Sequence, residues 1–236
     1  IATSRDAWCY NSSKTNVISN MNRLIKFYNE EVDRFAKSYS TEDKQVLDAT
    51  IDGFINTDPK QISWSINLKK HLAKGRKFEL EINSLTQSLY RPFTKQWLYC
   101  NRTFNHSLYQ IPAIFPVASS QNMVISVTGR GATKQFCALI TNQLPDLEMV
   151  SKGQCFPLYL YEKITQEKSI STGDLFDEQA DSTITETQYQ RKDGISDEGL
   201  KHFQTAYPNA QITKEDIFYY TYGLLHSEEY RERYAD

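Results

Sequence analysis

The chain has little that would let it act as a catalyst alone, and each absence closes a class of function. No apolar run approaches the roughly 20 residues of a membrane-spanning helix, and the longest, 123–127, is strand-sized. The opening IATSRDAWCYN has no basic stretch followed by an apolar one, so it is not a secretory signal. It also lacks an initiator methionine, which points to a chain cut from something longer. Cysteine is scarce. Cys9, Cys100, Cys137 and Cys155 are far apart with no Cys-x-x-Cys pair, which argues against a zinc site or a disulfide framework and for a reducing cytoplasm. The histidines, His71, His106, His202 and His226, lack metal-ligand spacing.

Catalytic motifs are missing as well. In TGRGATKQ one residue separates Gly129 from Gly131 and no Gly-Lys-Ser/Thr ending follows, so this is not a nucleotide-hydrolysing phosphate loop. Two readings of it stay open: a turn whose N–H groups face an anion, or a plain hairpin turn carrying Arg130. A metal-dependent nuclease needs an acid and then an acid-x-Lys on a neighbouring strand to hold the ion and orient water. Pro145-Asp146 is present, but no acid-x-Lys follows at a suitable distance. Nor is there an Asn/Asp-Pro-Pro-Tyr/Phe segment, with which amino-methyltransferases hold a flipped base.

What the chain does have is a lopsided middle. Residues 60–135 carry eleven lysines and arginines against Glu79 and Glu81, a surplus of nine in a chain of net charge −2. The remainder therefore carries −11. Within 88–116 the aromatics Tyr90, Phe93, Trp97, Tyr99, Phe104, Tyr109 and Phe115 are interspersed with Gln96, Asn101, Asn105 and Gln110. Basic side chains neutralise phosphates without reading sequence. Amide and guanidinium groups pair with base edges. A segment holding both resembles a nucleic-acid-facing surface. A solvated basic face beside an aromatic core has the same composition, and pooled charge does not tell the two apart.

The expected fold class is α+β: N-terminal helices, a central mixed or antiparallel β-sheet and a C-terminal helical cap. Val17, Met21, Leu24, Ile25, Tyr28, Val32 and Phe35 recur at three- and four-residue steps and predict a helix over 14–37. A second helix is expected after Thr41, ending before Asp58-Pro59, and a short basic one over 66–74 stopped by Gly75. Strands are predicted at 95–100, 123–128, 136–141 and 155–161. The polar stretch 163–194 reads as a flexible loop. Ser196, Thr213 and Ser227 are each placed to cap a C-terminal helix. Residues 136–236 hold nine bases and eighteen acids, which argues against a phosphate-binding face there.

A run of short segments carries a family likeness. These are Ser4-Arg5-Asp6-Ala7-Trp8, Lys26-Phe27-Tyr28-Asn29, Ile62-Ser63-Trp64, Tyr90-Arg91-Pro92-Phe93, Ile114-Phe115-Pro116, Gln154-Cys155-Phe156-Pro157 and His226-Ser227-Glu228-Glu229-Tyr230-Arg231. In that order and over nearly the whole chain, the sequence resembles the C-terminal target-recognition region of type ISP restriction–modification enzymes. In that family one polypeptide carries a nuclease, a helicase-like ATPase, an adenine-N6 methyltransferase and this region.

The resemblance implies a module that reads a short site in double-stranded DNA, with methylation and cleavage carried out elsewhere in the polypeptide. S-adenosylmethionine, ATP and Mg are then expected for the parent enzyme and no cofactor for this segment. The partners implied are DNA and the methyltransferase and helicase domains of the same polypeptide, without a membrane. Residues 1–59 would join the upstream methyltransferase and 60–236 would form the recognition domain. From side-chain chemistry, the DNA-facing candidates are Arg91, Lys95, Gln96, Arg102, Arg130, Lys134 and Gln135, with Lys69, Lys70, Lys74, Arg76 and Lys77 on phosphates. Tyr90, Pro92 and Phe93 are expected in the core. Two rival readings remain: a coupler that docks on neighbouring domains, and a nuclease or methyltransferase fragment with an unrecognised active site.

Overall fold

A computed structural model describes residues 1–39, 50–164 and 188–234. The longest element is α2 (Lys14–Ser38), preceded by a helical turn α1 (Asp6–Cys9) and a two-residue strand β1 (Tyr10–Asn11). Ser13 caps α2 by accepting from the Asn16 N–H. The predicted apolar stripe is its buried face, from Val17 to Phe35. Residues 50–54 are helical (α3), and the earlier part of the expected second helix lies outside the described residues. Helix α4 (Ile66–Ala73) buries Leu68 and Leu72. It is followed by Gly75 at φ +64°, the left-handed conformation that favours glycine.

One position on the α2 stripe is charged. Glu31 is buried and accepts two hydrogen bonds from the Arg34 guanidinium, at 2.8 and 2.7 Å, and one from the Asn56 N–H at 2.9 Å. Burial pushes its carboxyl up, but these bonds together hold it below the ordinary value of 4.5. Stability from a depressed carboxylate is present above the unfolded value and is lost as pH falls through the folded one. Glu31→Gln should therefore cost about 1 kcal/mol at neutral pH, with Arg34 half-exposed and screened. The difference from wild type should close below pH 4.5 in urea titrations across pH. A gap that persisted in acid would contradict this.

The α+β class holds, and the strands form three sheets. The first has the order β1-β3-β2-β6, with β2 (Leu85–Arg91) antiparallel to β3 (Thr94–Tyr99) and parallel to β6 (Leu144–Pro145). It packs on the same core as α2, α3 and α4, through Leu85, Leu98 and Tyr99, with Phe104 added from the loop after β3. The helical turn α5 (Ile111–Ile114) leads to the second sheet, antiparallel in the order β5-β4-β7 (Ala138–Thr141, Val124–Val127, Gln154–Pro157). Strands β8 (Tyr159–Ile164) and β9 (Gln188–Asp193) form a separate ribbon. The expected flexible loop 163–194 is corrected at both ends, since 163–164 and 188–193 are strand, and 165–187 lie outside the described residues. The predicted strand 155–161 is two strands broken at Leu158.

Helices α6 (Asp197–Ala206), α7 (Lys214–Leu224) and α8 (Glu228–Arg233) complete the chain. Each starts at the predicted cap: Ser196, Thr213 and Ser227 accept from the N–H three residues on. Thr213 and Asp216 form a reciprocal capping box. Helix α7 buries Ile217 and Phe218, and Phe218 joins Ile125 and Leu158 in a small second core. Among the described residues no helix is long and apolar enough to cross a membrane.

Candidate nucleic-acid interface

The twelve candidate residues fall into two groups with different surroundings. The first lies on and just after α4. Lys69 forms an ion pair with Asp52 at 2.5 Å and Lys77 one with Asp33 at 2.7 Å, so both cations are partly committed within the fold. Lys70, Lys74 and Arg76 are exposed and make no ion pair among the described residues. The backbone beneath them is fixed. The Tyr28 hydroxyl donates to the Arg76 carbonyl at 2.9 Å, and the Asn29 amide pairs with both the N–H and the carbonyl of Phe78. The Tyr28-Asn29 segment thus holds the basic turn against α2.

The second group lies on the sheets. Between Glu81 and Asp146 the sequence has no acidic residue, while it carries Arg91, Lys95, Arg102, Arg130 and Lys134. Lys95 on β3, Arg102 after it, and Arg130 and Lys134 between β4 and β5 are exposed, with no ion pair among the described residues. Gln135 is exposed and Gln96 half-buried.

Arg91 differs. Its guanidinium donates to Asp146 Oδ1 at 2.9 Å and to the Tyr90 carbonyl, and lies over the Tyr90 ring 3.9 Å from its centroid. Asp146 is buried and also accepts from the Tyr10 hydroxyl at 3.1 Å and the Glu148 N–H at 2.9 Å. Burial raises the Asp146 carboxyl above the ordinary aspartate range despite these partners. Arg91 is thus a brace between β2 and the 144–149 turn. The Pro145-Asp146 acid weighed for a nuclease serves this brace. Among the described residues no group of three His, Cys, Asp or Glu could hold a metal ion.

In the loop around Arg130, two of the backbone N–H groups are engaged within the fold. The Gly129 N–H donates to the Ser151 carbonyl and the Ala132 N–H to the Gly129 carbonyl, so neither is free to face an anion. A Cβ on Gly129 would sit 1.8 Å from the Lys152 carbonyl oxygen, and the Lys152 ammonium donates to the Gly131 carbonyl at 2.8 Å. Close backbone packing explains the glycine, and the loop presents Arg130 and Lys134 as side chains. An open groove of about 710 Å³ runs between this loop and α8, lined by Lys134, Phe136, Tyr230 and Arg231. Arg231 thus reaches the basic side from the acidic third of the sequence.

Two placements correct the sequence reading. Of the residues expected in the core, Tyr90 is half-buried, 4.6 Å from the Tyr10 ring, whereas Pro92 is exposed and Phe93 is 89% exposed at the β2–β3 turn. Arg5, which stands out in the sequence only as part of a motif, is buried. Its guanidinium donates twice to the Ser63 carbonyl, at 3.2 and 2.9 Å, and once to the Phe104 carbonyl.

The type ISP C-terminal specificity domain model matches residues 1–236. The chain is similar to a nuclease-deletion mutant of the type ISP restriction–modification enzyme LlaGI in complex with a DNA substrate mimic, at 32% identity and TM-score 0.76. It is also similar to DrdV in a DNA complex (31%, TM-score 0.78) and to the ATP-dependent type ISP enzyme LlaBIII bound to DNA (28%, TM-score 0.72). Each match covers 100% of this chain and, in that order, 18%, 19% and 13% of the other, so the chain spans less than a fifth of their length. No curated protein matches it. With the whole chain matched, this protein belongs to the type ISP C-terminal specificity domain family.

Proposed function

We propose that this chain recognises a specific sequence in double-stranded DNA for a restriction–modification polypeptide, whose methylation and cleavage are carried out by other domains. The observation that carries the reading is the acid-free stretch 82–145, whose cations Lys95, Arg102, Arg130 and Lys134 stand exposed and without carboxylate partners among the described residues. Solved relatives at 31–32% identity are complexes with DNA or a DNA mimic. S-adenosylmethionine, ATP and Mg belong in this proposal to the other domains. Lys70, Lys74 and Arg76 add phosphate contacts from the α4 side, while Arg91 serves the fold and contributes less.

The test is counterion release. Removing one cation from a phosphate lowers the slope of log affinity against log salt by about 0.9. Arg130→Gln combined with Lys134→Gln should lower the slope by about 2 and weaken binding roughly tenfold near physiological salt, for all duplexes alike. An unchanged slope in a folded double variant would remove this loop from the DNA face.

A further inference from the structure

Resting on the DNA-recognition reading, we propose that Phe93 is a wedge that enters the base stack of the bound duplex. Among the large apolar side chains of the described residues it is the most exposed, at 89%, and it stands at the tip of the turn joining β2 and β3. Its backbone φ is +62°, a left-handed conformation that a phenylalanine adopts only at a steric cost. Neither burial nor backbone preference accounts for phenylalanine here.

The arm behind the tip is stiff. Arg91 is tied to Asp146, its guanidinium stacks on Tyr90, and the Tyr90 hydroxyl donates to Asp6 at 2.9 Å. Tyr90 in turn packs on Tyr10. A braced hairpin thus holds out one aromatic ring, with Lys95 nearby on the same acid-free stretch. An apolar tip beside a cation with no ion pair among the described residues suits a step between bases flanked by phosphates. Apolar wedges of this kind unstack base steps and kink the duplex, and enzymes that act on a base must unstack it. A neighbouring protein domain is the other surface that could take such a ring, but it would gain nothing from Lys95 unless it were acidic.

Phe93→Gly separates the roles. Glycine relieves the left-handed strain, so the variant should fold with an unfolding midpoint no lower than wild type. The intact polypeptide carrying this chain would be bound to duplexes that the wild type retains from a random library. Permanganate then reports unstacked thymines, and comparing variant with wild type on the same DNA cancels unstacking due to other domains. Wild type should show a reactive step that the glycine variant loses, with roughly tenfold weaker binding from the missing base–aromatic stack. A mismatch at that step should restore most of the affinity, and Phe93→Trp should keep both reactivity and affinity. Unchanged reactivity and affinity in Phe93→Gly would overturn the wedge and leave DNA recognition standing. Unchanged reactivity with a lowered unfolding midpoint would overturn it in favour of a docking surface for a neighbouring domain. Failure of the wild type to retain any duplex would overturn the recognition reading, and the wedge with it.

Discussion

Arg5→Lys should lower the stability of the fold by about 3 kcal/mol, more than most conservative surface changes cost. The Arg5 side chain is buried and its planar fork joins three segments: its own turn before α1, the extended stretch at Ser63 and the loop at Phe104. No carboxylate pairs with it among the described residues, and burial lowers its pKa. Arginine stays charged even so, and three donations to carbonyls compensate for the lost hydration. A lysine ammonium lacks the planar fork that spans these carbonyls, and burial drives it toward the neutral form. Its folded pKa would lie below the unfolded one, so the penalty should shrink as pH rises and grow as pH falls. Urea denaturation of wild type and variant at two pH values measures both effects. A loss under about 1 kcal/mol, or one independent of pH, would show that Arg5 is not the clamp described.

Asp146→Ala should cost about 3 kcal/mol, whereas Asp146→Asn should stay within about 1 kcal/mol. The carboxylate is buried and takes hydrogen bonds from Arg91, Tyr10 and the Glu148 N–H. Alanine leaves all three donors short of a partner, although Ser88 still lies 3.2 Å from the Tyr10 hydroxyl and Arg91 can turn to solvent. Asparagine keeps an acceptor for Arg91 and Glu148 and can donate to the Tyr10 oxygen. Because burial already raises the Asp146 pKa, losing the charge relieves a cost that partly offsets the weaker bond to Arg91. Equal losses in the two variants would mean that charge, rather than hydrogen-bond satisfaction, sets the strength of the brace.

These two residues mark where the sequence is hard to read. Helix α2, the end of α4 at Gly75 and the caps at Ser196, Thr213 and Ser227 depend on neighbours three or four residues away, so their signals are local. Strand β9 reads QYQRKD and, among the described residues, pairs with β8 alone in a solvent-facing ribbon, so it has no buried face and no alternation to detect. Strand β2 reads LTQSLYR and merges with the basic, aromatic stretch around it. The Arg91–Asp146 pair follows from the parallel β2·β6 register, Leu89 opposite Pro145, which brings together residues 55 apart in sequence. A guanidinium suited to a base edge is equally suited to a carboxylate, and only that register separates the two. Phe93 misleads because aromatic character predicts burial, while its place after Pro92 in a two-residue turn puts it at a tip. Glu31 hides the opposite way, as a charge on a buried stripe. The basic stretch itself is legible, and the structure adds which of its cations are already engaged by acids.

The most direct test of sequence recognition is selection from a random-sequence duplex library at near-physiological salt, followed by sequencing of what the protein retains. Enrichment of one short motif is expected, because amide and guanidinium groups beside cations free of ion pairs among the described residues can discriminate base edges once phosphates have set the register. Retention without enrichment, or no retention by folded protein, would contradict it.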